Sequence, residues 1–104
     1  MRLRVVDHSP AAWFLLRHDG GEPDGEYYLD VNCGVSAYGF SVLIKLSQAE
    51  HVEYHTRGRD YINALARRIE ADPFACRDRD LSRALGGDVS DAVGRFRDSS
   101  PDPP

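Results

Sequence analysis

The chain reads as an α+β domain: a small antiparallel β-meander of three to four strands packed on one long α-helix, with one or two short C-terminal helices. Three observations predict this. Apolar residues alternate with a period of two through Leu46, then recur at helical spacing. The strand-like runs follow one another through short connections, which places them as neighbours in an antiparallel sheet. At the change of period stands Ser47-Gln48-Ala49-Glu50, a capping box in which the Ser side chain bonds the N3 amide and the Glu bonds back.

The elements follow in order. Leu3 to Asp7 alternates enough for a short first strand, which Ser9-Pro10 interrupts. Trp13-Phe14-Leu15-Leu16 is continuously apolar and fits a strand covered on both faces. His18 to Gly25 holds three Gly and one Pro and is a turn segment. From Glu26 to Asn32, Tyr27, Leu29 and Val31 share one face, while Tyr28, Asp30 and Asn32 share the more polar one. Cys33 to Ala37 is a second connection. Tyr38 to Leu46 is the next strand, with Phe40, Val42, Ile44 and Leu46 on one face and Ser41, Leu43 and Lys45 on the other.

The long helix is predicted over Gln48 to Ala71, ending before Pro73 because the residue preceding a proline avoids the α region. Its apolar stripe is Ile62, Leu65, Ala66 and Ile69. Gly58 lies inside it, costs about 1 kcal/mol relative to Ala, and marks a kink or a junction of two helices. Asp80 to Leu85 makes one or two helical turns, Gly86-Gly87 interrupts, and Asp88 caps a last helix through Phe96. Residues 1–98 thus form one domain, and 99–104 a polar, Pro-rich tail expected to be disordered.

Composition narrows the function. A chain of 104 residues with 41% hydrophobic and 29% charged residues is ordinary for one soluble domain and needs no disulfide or metal to hold a core. A formal charge of -4 opposes nucleic-acid binding and attachment to an anionic membrane surface. Arginine outnumbers lysine twelve to one, which fits a GC-rich, bacterial-type coding sequence. No apolar run approaches the roughly 18 residues of a membrane span, and the N-terminus has no signal-peptide h-region. The expected location is cytoplasmic, where Cys33 and Cys76 are reduced thiols too far apart in sequence for a zinc signature.

No phosphate loop, dinucleotide fingerprint, nucleophile elbow or RNP-like motif is present, so no cofactor is expected and a non-catalytic role leads. A meander sorts the reactive side chains to its two ends. At one end lie His8, Ser9, Asn32, Cys33 and Ser36. Cys33 marks a connection between strands, and it becomes a nucleophile only if His8 supplies a base and Asn32 orients it. At the other end lie His18, Asp19, His51 and His55. His51 and His55 are one helical turn apart and can share a metal, with His18 or Asp19 as a third ligand. On a continuous helix both histidines would join the core stripe; on a helix broken at Gly58 they would be exposed.

The sequence therefore predicts a small cytoplasmic protein that acts through another protein, as a binding or regulatory module comparable in kind to toxin-neutralising immunity proteins. Its expected surface is the open sheet face with Tyr28, Asp30, Asn32, Ser41 and Lys45. The alternatives are a thiol-dependent enzyme using Cys33 with His8, and a metal-binding protein using His51 and His55. Oligomeric state is not legible.

Overall fold

A computed structural model describes residues 2–10, 12–18, 26–33 and 41–99. Four strands, β1 (Leu3–Ser9), β2 (Trp13–His18), β3 (Tyr27–Asn32) and β4 (Ser41–Lys45), precede helices α1 (Gln48–Arg57) and α2 (Arg59–Ala71). A 3₁₀ segment (Pro73–Arg79) and a final helix α3 (Ser82–Ser99) complete the described chain. The strands form one antiparallel sheet in the order β1-β2-β3-β4, the expected meander.

The register decides which side chains meet which helix. Leu15, Leu29 and Ile44 stand abreast, as do Trp13, Val31 and Val42, and both rows join the core under α2 with Ile62, Leu65, Ala66 and Ile69. The opposite face carries Leu3, Val5, Leu16, Tyr28 and Leu43, packed against Val89 and Ala92 of α3. The sheet is thus the middle of three layers. Val42 and Ile44 face α2 as the alternation predicts; Phe40 lies outside the described residues.

This layering corrects the expectation of an open second face. Tyr28 is only 3% exposed, because α3 lies over it. The helix is longer than the sequence suggested: it runs as one element of 18 residues through Gly86-Gly87. Each glycine costs about 1 kcal/mol in a helix interior. Burying Leu81, Leu85, Val89, Ala92, Val93 and Phe96 against the sheet offsets that cost, at up to about 2–3 kcal/mol per large apolar side chain.

The long helix, by contrast, is two. Gly58 has φ 66° and ψ −144°, a conformation open essentially to glycine alone, and it serves as C-cap of α1 and N-cap of α2. The amphipathic stripe is therefore confined to α2, and α1 buries none of its residues. Instead the capping box at Ser47 and Glu50 fixes the start of α1, and Arg79 donates two hydrogen bonds to Glu50 at 2.6 and 3.0 Å.

Two local devices set the site. A bulge between Val5 and Asp7 in β1 leaves Val6 unpaired and 39% exposed. Beyond it the alternation is reversed, so Asp7 faces α2 and His8 faces α3. Arg59 at the start of α2 locks this, donating to Asp7 Oδ1 at 2.6 Å and to the His8 carbonyl at 2.9 Å. At the other sheet edge, Leu43 of β4 donates its N–H to Asp80 Oδ1 at 3.1 Å and accepts from the Leu81 N–H at 2.7 Å. The same Asp80 oxygen accepts from the Ser82 N–H and hydroxyl at 3.0 and 2.7 Å, starting α3.

Candidate functional site

The β1–β2 turn and the end of β3 meet at one end of the sheet, beneath the last turns of α3. A cleft of about 760 Å³ opens there. Its described lining includes His8, Trp13, Phe14, Asp30, Phe96 and Arg97, with Asn32 and Ser41 at β-strand ends.

Asp30 is the unusual member. It stands in β3 between Phe14 and Leu43, on the face covered by α3. Among the described residues its carboxylate makes no hydrogen bond and no ion pair, although it is half-buried. Burial pushes its carboxyl up to about 6, and the nearby Asp80 carboxylate adds to the shift. Asp80 is held low by the N–H groups of Leu43 and Ser82 and the Ser82 hydroxyl, against the opposing effect of its own burial. Two carboxylates therefore oppose one another here, and only Asp80 is hydrogen-bonded.

The walls are aromatic. The His8 imidazole stacks on Phe14 with centroids 5.7 Å apart and meets the Phe96 ring edge-on at 5.0 Å. Phe14 and Phe96 are themselves 6.5 Å apart. His8 and Asp30 are both register partners of Phe14, on opposite sides of β2. Two strand spacings, about 10 Å, separate their backbones with a phenyl ring between, so they do not form an acid–base pair. Asn32 and Ser41 are exposed register partners across β3 and β4, and the Asn32 N–H donates to the Ala12 carbonyl at 2.8 Å.

Three of the expected surface residues, Asp30, Asn32 and Ser41, thus gather at the cleft, while Tyr28 does not. Its hydroxyl donates to Glu26 at 3.0 Å near the other sheet end, and burial with that carboxylate pushes the phenol up to about 12. Lys45 reaches the same Glu26 at 2.7 Å.

Cys33 and His8 are not brought together. Cys33 follows Val31 onto the α2 side and packs against that core, whereas His8 lies among the α3-side aromatics. The Cys33 thiol donates to the Val31 carbonyl at 3.6 Å. Burial raises its pKa, and the carboxylates of Glu70 and Asp30 add to the effect, so it is a poor thiolate. The expected Cys33–His8–Asn32 arrangement is therefore not formed. Ser36 lies outside the described residues.

His51 and His55 do meet, with their Nε2 atoms 2.8 Å apart. The break at Gly58 takes them off the core stripe, leaving His51 half-buried and His55 exposed. His18 shares the alternation of Phe14 and Leu16 toward α3, while Tyr27, from the α2 side of β3, packs on His51. It therefore does not supply the expected third ligand, and Asp19 lies outside the described residues. Among the described residues no group of three or more His, Cys, Asp or Glu is arranged to hold a metal.

The sequence reading missed Phe14 and Phe96 as site residues. The available signal was the spacing of Leu81, Leu85, Val89, Ala92, Val93 and Phe96, which is helical straight through the double glycine. No described helix is long and apolar enough to cross a membrane. Comparison of the chain with protein-family models, curated proteins and solved structures yields no match in any of the three.

Proposed function

We propose that this protein is a non-catalytic binding module for another protein, and that the cleft seats a basic side chain, Arg or Lys, of that partner. One observation carries the reading: Asp30 is a half-buried carboxylate without a hydrogen bond or ion pair among the described residues, set in aromatic walls. A carboxylate partly withdrawn from water, its oxygens still reaching solvent, is stabilised when a counter-charge replaces that water. A guanidinium or ammonium entering the cleft supplies the missing counter-charge. It also gains cation–π contact with Phe14 or Phe96, worth roughly 0.5–2 kcal/mol.

Charge and chemistry favour the same reading. The formal charge of -4 attracts a basic partner over long range. Among the described residues the cleft pairs no nucleophile with a base: Cys33 packs on the other face and Phe14 separates His8 from Asp30. Asn32 and Ser41 form a polar rim able to bond partner backbone.

The test is a ¹H–¹⁵N titration of the whole chain with a short arginine-containing peptide in the millimolar range. The expected result is saturable shifts at Asp30, Asn32 and Phe96, abolished in Asp30→Asn. Shifts that persist unchanged in Asp30→Asn, or none at the cleft, would overturn the proposal.

A further inference from the structure

At the end of the molecule away from the cleft, α1 and β3 hold a second group of side chains. His51 and His55 lie one turn apart on α1, their Nε2 atoms 2.8 Å apart and their ring centroids 4.5 Å apart. Tyr27 of β3 packs against both rings, at 5.0 Å from His51 and 6.2 Å from His55. Tyr54 closes the cluster at 5.4 Å from Tyr27 and 5.8 Å from His55. Because Tyr27 is held in the sheet, the imidazoles converge on a fixed support. The usual entropic cost of ordering two surface side chains around an ion is thereby reduced.

The spacing, set in the metal-free protein by a shared hydrogen bond, bears on which ion fits with least movement. Imidazole nitrogens bind borderline metals at about 2.0 Å. Two such bonds at a right angle put the nitrogens about 2.8 Å apart, whereas tetrahedral bonds spread them to about 3.3 Å. A separation of 2.8 Å matches the right-angle chelate. In the metal-free protein a ring N–H of one histidine bonds the other's Nε2; on binding, solvent carries that proton to Nδ1 of the same ring, so that both neutral rings present an Nε2 lone pair to the ion.

The geometry points to a bidentate site for a right-angle-coordinating transition metal, Cu²⁺ or Ni²⁺, formed by His51 Nε2 and His55 Nε2 and completed by solvent. Two protein ligands leave the remaining positions open, so the site suits exchangeable binding more than a structural metal. It is independent of the cleft, which lies at the other end of the sheet.

The test uses the whole chain, stripped with a chelator and titrated at pH 7.5 with Cu²⁺, Ni²⁺ and Zn²⁺ separately by calorimetry. Cu²⁺ is expected to bind with one-to-one stoichiometry and a tetragonal paramagnetic resonance spectrum split by two nitrogens. The intrinsic affinity order of these metals puts Cu²⁺ first and Ni²⁺ high whatever the angle, so the right-angle geometry is tested by the tetragonal two-nitrogen spectrum. His51→Ala and His55→Ala should each weaken Cu²⁺ binding by about 100-fold, no less than the loss of an outer-shell partner can cost. Tyr27→Phe should leave it unchanged and His18→Ala likewise. Cu²⁺ binding that survives either α1 variant, or moves with His18→Ala, would overturn the site; a Cu²⁺ spectrum that is not tetragonal or lacks the two-nitrogen splitting would overturn the right-angle geometry. Neither α1 variant alters a fully buried side chain, and unchanged helical ellipticity verifies that they fold.

Discussion

At the residue scale the informative group is Asp30, because its location works against stability. A carboxyl whose ordinary value is 3.8 stands near 6 in the folded protein. The folded chain therefore holds a proton between those values that the unfolded chain has released. Stability from this residue is complete below about pH 4 and falls as pH rises through 6. The loss amounts to about 2 kcal/mol after allowance for partial exposure. Asp30→Asn removes the ionisation while keeping the shape. It should raise the melting temperature at pH 7.5 and leave it nearly unchanged at pH 4. The difference between variant and wild type isolates this residue from Glu50 and Asp80, whose lowered values give the opposite slope. A wild-type advantage at pH 7.5 would mean that Asp30 is stabilised by a contact in the fold and has no vacancy to fill. The identity of Asp30 as a polar residue at a strand position was legible from alternation alone. Its burial was not, since that depends on a helix more than fifty positions later in the chain.

At the element scale the strands were legible and the helices only in part, for reasons that lie in three glycines. Period-two alternation assigned Leu29 and Val31 to one core and Tyr28 to the opposite face, and the register agrees. Gly58 and the Gly86-Gly87 pair look alike in sequence, but their backbones differ. Gly58 sits at φ 66° and ends a helix, whereas the pair continues one, with open space where a Cβ would be added. Alanine should therefore act in opposite directions. Gly58→Ala is expected to destabilise by about 1–3 kcal/mol through backbone strain. Gly87→Ala is expected to stabilise by about 0.5–1 kcal/mol through reduced unfolded-state freedom. Urea unfolding of both variants measures this directly, and a Gly58→Ala variant as stable as wild type would mean that α1 and α2 can merge into the single helix the amphipathic pattern suggested.

At the scale of the whole molecule, a four-stranded sheet shared by two helical layers ties two cores into one. Leu15 and Leu16 are neighbours in β2, both 0% exposed, yet Leu15 belongs to the α2-side cluster and Leu16 to the α3-side cluster. Neither layer can leave without exposing one face of the same strands. Salt bridges add little to this union: Lys45–Glu26 and Arg57–Glu53 are about half exposed and each contributes roughly 0–1 kcal/mol. Burial carries it, so unfolding should be a single cooperative event. Trp13 reports on the α2 side, where its Nε1–H donates to Asn63 at 3.0 Å, and helical ellipticity reports on α3 as well. The two signals should melt together. Leu15→Ala and Leu16→Ala should each lower both midpoints in common, by the equivalent of about 2–5 kcal/mol. If Leu16→Ala instead shifts the ellipticity midpoint and spares the tryptophan signal, α3 is a separable layer. The cleft that depends on Phe96 would then open and close with that helix, and binding of a basic partner should bring the two transitions back together.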